Sequence, residues 1–187
     1  MENTAYTVCR QLVALCVAHN VRRVVLSPGS RNAPLLVAFA REKSIAHHVV
    51  VDERTAAFVA LGMATHSQEP VAVVCTSGTA LLNYAPAVAE AYYRQVPLIV
   101  ISADRPDEWI DQDDSQTIRQ QGALAAIVKQ SFHIPTREDD TSLWHARRLI
   151  NEALLNALTP SCGPVHINVP LGGALCSVAD VIPDNPI

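Results

Sequence analysis

What most constrains this chain is an alternation. Short apolar runs that end in polar or glycine-containing turns take turns with longer segments whose apolar residues recur at helical spacing. Helical periodicity is clear in 4–19, 33–42, 53–66, 79–94 and 139–157, where Pro86 must lie in the first turns of its helix or kink it. Strand-like runs occupy 24–26, 46–51 and 163–170, with others inside PVAVVCTSG, VPLIVISAD and AIVKQSFHIP. Three consecutive valines, 49–51, suit a strand covered on both faces. Strands that alternate with helices require crossover connections, right-handed by the sterics of twisted strands. The expectation is an α/β fold of three layers, α/β/α, around a mainly parallel six-stranded sheet. With 187 residues, 49% apolar and 17% charged, the chain can bury a core of that size.

In such a sheet, ligands bind beyond the carboxyl ends of the strands. Four chemistry-bearing segments follow strand-like runs and so converge there. In SPGSRN, Gly29 permits a tight turn, Ser30 and Asn32 offer hydrogen bonds, and Arg31 suits a carboxylate or phosphate. A βα turn capped by Ser or Asn suits the same residues. Asp52 can cap the next helix and Glu53 stands in its first turn, where the usual role of an acid is to stabilise the helix. In TSGT, Gly78 between hydroxyl residues lets another group approach the backbone at Thr76 and Ser77, and helix capping fits equally. In ADRP, Arg105 before a proline is an anion clamp or half of a surface Asp–Arg pair. The polar stretch 104–122 reads as a long loop with a short helix near 115–121, and it carries Gln116.

Other classes lose support. The net charge of −4 and the absence of a basic stripe argue against nucleic-acid binding. There is no GxGxxG, GxxxxGK[ST] or GxSxG, and the seven histidines show no metal-ligand spacing, so no protein-only metal site is expected. His166 reads as a buried structural residue. Cys9, Cys16, Cys75, Cys162 and Cys176 form no CxxC and imply reduced thiols. No apolar run approaches membrane-spanning length, which gives the expectation of a soluble, cytoplasmic protein. The residues alone thus describe an anion-binding sheet edge without naming a reaction.

Together, LSPGSRNAPL (26–35), DERTAAFVALGMA (52–64), the stretch from TSGTALLN to SADRP (76–106), DSQTIRQ (114–120) and GPVHINVPL (163–171) resemble the pyrimidine-binding domain of thiamine-diphosphate-dependent enzymes. Within that superfamily they are most similar to the menaquinone-pathway synthases. The resemblance implies decarboxylation of 2-oxoglutarate on thiamine diphosphate and addition of the product to isochorismate. It implies Glu53 as the catalytic residue bonded to N1′ of the aminopyrimidine, with Thr76, Ser77 and Gly78 beside the cofactor. Ser30, Arg31, Arg105 and Gln116 would face the substrates. It also implies Mg²⁺, held by a diphosphate-binding domain with a GDG pattern that this chain lacks, and self-association to a dimer or tetramer. One departure is PLGGAL (170–175), where the family continues with a basic residue and a second Pro-Leu. Residues 1–175 are expected to form the domain and 176–187 to begin an interdomain linker, so that the isolated domain is inactive. Two alternatives remain at this point: a natural small subunit of a split thiamine-diphosphate decarboxylase, and a non-catalytic anion-binding module.

Overall fold

The computed structural model describes residues 4–136 and 139–172; the expected linker 176–187, Cys176 and the end of PLGGAL lie outside the described residues. Within them, six strands form one sheet: β1 (Arg23–Leu26), β2 (Ala46–Val49), β3 (Val71–Cys75), β4 (Leu98–Asp104), β5 (Ser131–His133) and β6 (Val165–Pro170). Their order is β2-β1-β3-β4-β6-β5, and every pairing is parallel. The expected α/β fold with a parallel six-stranded sheet is the observed one.

Side chains alternate across that sheet, so each central strand feeds two cores. Ala72 and Val74 of β3 and Ile99 and Ile101 of β4 face one layer. It is built from α1 (Thr4–Ala18), α2 (Ala33–Arg41) and α6 (Asp140–Leu158). Val71, Val73 and Cys75, with Leu98 and Val100, face the other layer. That layer holds α3 (Glu53–Ser67), α4 (Ala80–Asn83) and α5 (Ala85–Tyr93). All seven residues of β4 are buried, as a strand covered on both faces requires. The buried stripe of α3 is made almost wholly of alanines (Ala56, Ala57, Ala60 and Ala64, with Leu61).

Three local expectations are corrected. The run 46–51 is not a doubly covered strand. β2 ends at Val49, all four of its residues are exposed, and Val49 and Val51 are 61% and 76% exposed. The cause is position: β2 pairs only with β1 and forms one edge of the sheet. The helix expected near 115–121 is absent. Gln116 has φ +57°, a left-handed conformation that a right-handed helix excludes, and the loop's helical turn is instead a 3₁₀ turn at Asp107–Trp109. The 79–94 helix is broken at Tyr84, with Pro86 in the first turn of α5, where its missing N–H costs nothing.

Candidate functional site

The strand order reverses between β1 and β3, the topological switch point where parallel sheets bind ligands. There the loop after β1 meets the turn after β3. A Cβ added to Gly29 would fall 2.4 Å from Cβ of Thr76, so the two segments pack backbone against side chain with no room for a methyl group. Asn32 does not cap α2. Its buried Nδ2 donates to the Ser27 carbonyl (2.8 Å), folding SPGSRN back on its own strand. Arg31 is half-buried; Nη1 donates to the Leu171 carbonyl (2.7 Å), while its buried Nε has no hydrogen-bond partner. Ser30 is exposed at the mouth of this loop.

Thr76, Ser77 and Gly78 are buried, and Thr79 makes no side-chain capping bond, so helix capping does not explain TSGT. The Thr76 hydroxyl is buried without a partner. Gly78 has φ +81°, which favours glycine. A Cβ there would lie 2.9 Å from the Gln116 carbonyl oxygen and equally close to its Cγ. Gln116 itself is exposed, and its Nε2 donates to the Ser77 carbonyl (3.0 Å).

Arg105 is not paired with Asp104. Nη2 donates to the Ser115 carbonyl (2.8 Å), and Nε lies 3.0 Å from Asp114 Oδ2 at an angle outside a hydrogen bond. The loop 104–122 is thereby tied to the end of β4. Asp104 is turned inward, accepting from Asn168 Nδ2 (2.6 Å) and the Arg105 amide (2.8 Å). Burial still pushes its carboxyl above the usual range.

Glu53 opens α3 beyond the end of β2, held by the Asp52 cap, whose Oδ1 accepts from the Thr55 amide (2.7 Å). Its side chain is half-buried, and among the described residues its carboxylate has no hydrogen bond or ion pair. Its charge is felt at the second core: burial first, then the Glu53 charge, pushes the Cys75 thiol up. Tyr84 feels burial, Cys75 and Glu53 in the same direction, and its hydroxyl donates to Ser27 Oγ (3.1 Å).

Beneath the site lies a buried polar network that sequence reasoning missed apart from His166. Ser102 Oγ donates to Asn168 Oδ1 (2.7 Å) and sits 2.8 Å from His166 Nε2. With the hydroxyl proton committed to Asn168, His166 donates from Nε2, and its unpartnered Nδ1 is the bare nitrogen of a neutral ring. Gln120, also buried, joins this network to the Gly78 turn. The available signal was polar residues two apart, His166 and Asn168, in an otherwise apolar strand.

Desolvation, helped by His133, pushes His166 down to about 4. A histidine depressed in the folded state takes up its proton first on unfolding. Stability is therefore lost as pH falls from about 6.5 to about 4, by roughly 3 kcal/mol from this one group. The raised Asp104 opposes part of that loss, since the folded state protonates it first on acidification. Urea unfolding at pH 7, 5.5 and 4.5 is expected to show this decline, and His166→Gln to flatten it. An equal slope in the variant would refute the assignment.

Residues 6–124 match the family described as thiamine pyrophosphate enzyme, N-terminal TPP binding domain. Among curated proteins, the 2-succinyl-5-enolpyruvyl-6-hydroxy-3-cyclohexene-1-carboxylate synthase of Porphyromonas gingivalis is 55% identical over 84% of this chain and 28% of its own length. The synthase of the same name from Desulfotalea psychrophila is 57% identical over 83% of this chain and 29% of its own. That from Christiangramia forsetii is 45% identical over 100% of this chain and 35% of its own. The chain thus spans about a third of the length of these relatives. With the switch-point geometry and the match over 6–124 together, the chain belongs to the thiamine pyrophosphate enzymes, as an N-terminal TPP-binding domain.

Proposed function

We propose that this chain is the pyrimidine-binding part of a 2-succinyl-5-enolpyruvyl-6-hydroxy-3-cyclohexene-1-carboxylate synthase. That enzyme decarboxylates 2-oxoglutarate on thiamine diphosphate and adds the product to isochorismate. Residues 1–175 constitute the domain and 176–187 the start of a linker. One observation carries the reading. Polar groups without protein partners, Arg31 Nε and the Thr76 hydroxyl, stand at the switch point, and the unpaired Glu53 carboxylate opens the helix beside it.

These residues fit an aminopyrimidine. Glu53 would meet the ring nitrogen, and the Thr76-Ser77-Gly78 turn would lie beside the ring, with the unpartnered Thr76 hydroxyl available to it. When bound, thiamine diphosphate supplies the thiazolium carbon that makes cleavage of a 2-oxoacid possible. Glu53 would hold a proton at N1′ of the aminopyrimidine. Arg31 and Arg105 bind substrate carboxylates with guanidinium forks already held by the Leu171 and Ser115 carbonyls. Ser30 and Gln116 add hydrogen bonds at the mouth.

Mg²⁺ would be held by the diphosphate-binding part of that enzyme; among the described residues no group of three or more His, Cys, Asp or Glu is placed to hold a metal ion. Exposed Phe58 on α3, Leu82 on α4 and Tyr93 on α5 support self-association to a dimer or tetramer on that side. No described helix is long and apolar enough to cross a membrane, and a cytoplasmic location accords with the free thiols of Cys9, Cys16 and Cys75. The polypeptide encoded by the complete reading frame, given thiamine diphosphate, Mg²⁺ and 2-oxoglutarate, is expected to consume isochorismate and release an equal amount of CO₂. Absence of isochorismate consumption would overturn the reading.

A further inference from the structure

Ser77 O and Gly78 N belong to one peptide group, and two glutamine side chains from the same loop grip it from opposite ends. Gln116 Nε2 donates to Ser77 O (3.0 Å), and Gln120 Oε1 accepts from Gly78 N (2.6 Å). The two glutamines differ in kind. Gln116 is exposed and makes this one side-chain bond among the described residues. Gln120 is 1% exposed, and its Nε2 faces three acceptors: Asn168 Oδ1 (2.8 Å), the Ala103 carbonyl (3.0 Å) and Ser102 Oγ (3.2 Å). An amide nitrogen among three acceptors leaves its oxygen only one direction, toward Gly78.

Glycine is the residue at which a peptide turns over most easily, because both signs of φ are open to it. The backbone at Gly78 therefore does not enforce its own orientation, and the orientation must come from outside. We propose that Gln120 is a positioning residue. It fixes the direction of the Ser77–Gly78 peptide from the floor of the sheet, and so keeps the turn in place when Gln116 exchanges the Ser77 carbonyl for a substrate. This deepens the functional reading above and rests on it for the identity of the ligand. Gln120 acts through the peptide and touches no reacting atom.

The test compares Gln120→Met and Gln120→Glu with the wild type in the polypeptide encoded by the complete reading frame. Methionine keeps the length and removes every hydrogen bond. Amide hydrogen exchange is expected to quicken about tenfold or more at Gly78 while Val73 and Val100, in the middle of β3 and β4, stay within about twofold. The dissociation constant for thiamine diphosphate, measured calorimetrically with Mg²⁺, is expected to rise in parallel.

Should the methionine variant not fold, the glutamate variant decides. A carboxylate there sets oxygen against the Asn168 and Ala103 oxygens, whereas the protonated acid donates as the amide does. Gly78 protection relative to Val73 is therefore expected to recover on acidification in Gln120→Glu and not to change in the wild type. Unaltered Gly78 protection, a uniform quickening across the sheet, or a local loss with wild-type affinity would each overturn the proposal. A wild-type protein that does not bind thiamine diphosphate would instead overturn the functional reading, and the exchange data alone would then decide the clamp.

Discussion

Replacing Glu53 by glutamine is expected to lower turnover of the complete enzyme by about 10²–10⁴-fold, the range typical of losing a general acid–base group. The amide has the same shape and still forms a hydrogen bond, but it cannot give and regain a proton at a ring nitrogen. Folding should hardly notice. The side chain is half-buried and has no hydrogen bond or ion pair among the described residues, so the loss is its favourable interaction with the start of α3, about 0.3–1 kcal/mol. In a domain of this size that shifts the melting temperature by roughly 4 °C or less. Steady-state kinetics and a thermal melt on the same preparation check both halves. Near-wild-type turnover would remove Glu53 from the chemistry.

The largest structural effect is expected at Gly29. Its missing methyl would have to occupy space 2.4 Å from Cβ, 2.7 Å from Cγ2 and 2.8 Å from Oγ1 of Thr76. Thr76 is 6% exposed and cannot swing away. Gly29→Ala must therefore part the β1 loop from the β3 turn, a form of overpacking that costs about 1–3 kcal/mol. Urea unfolding measures the loss, and the compensating changes identify its cause. Thr76→Ser leaves the clashing Cβ in place and should not restore stability, whereas Thr76→Gly removes it and should restore part. Equal behaviour of the two double variants would mean that the loss arises elsewhere.

The architecture was legible because fully buried strands and helices leave a periodic record. The bounds of β1, β4 and β6, and the turns that follow them, were readable for that reason. What escaped depends on neighbours in space. The three valines at 49–51 carry the composition of a covered strand, yet the strand order leaves β2 at an edge, and order is not written locally. The stretch near 115–121 permitted a short helix, but Gln116 stands in left-handed geometry and bonds Ser77, 39 residues earlier. Gln120 was read only as part of a motif; its partners Gly78 and Asn168 lie 42 and 48 residues away. The convergence of the segments that follow β1, β3 and β4 was easier to read, since the common polarity of parallel strands brings those ends to one edge of the sheet.

The alanine stripe of α3 has a consequence for how such a site can be redesigned. Glu53 takes its height above the sheet from a helix whose buried face offers four methyl groups and one larger side chain. That face acts as a spacer of nearly minimum thickness, and it can be thickened by single carbons but scarcely thinned. Valine or leucine in place of Ala57 or Ala60 would lift the helix and carry the carboxylate outward from the sheet. The reach of this side chain is thus adjustable from the inner face of the helix, without touching the residue itself.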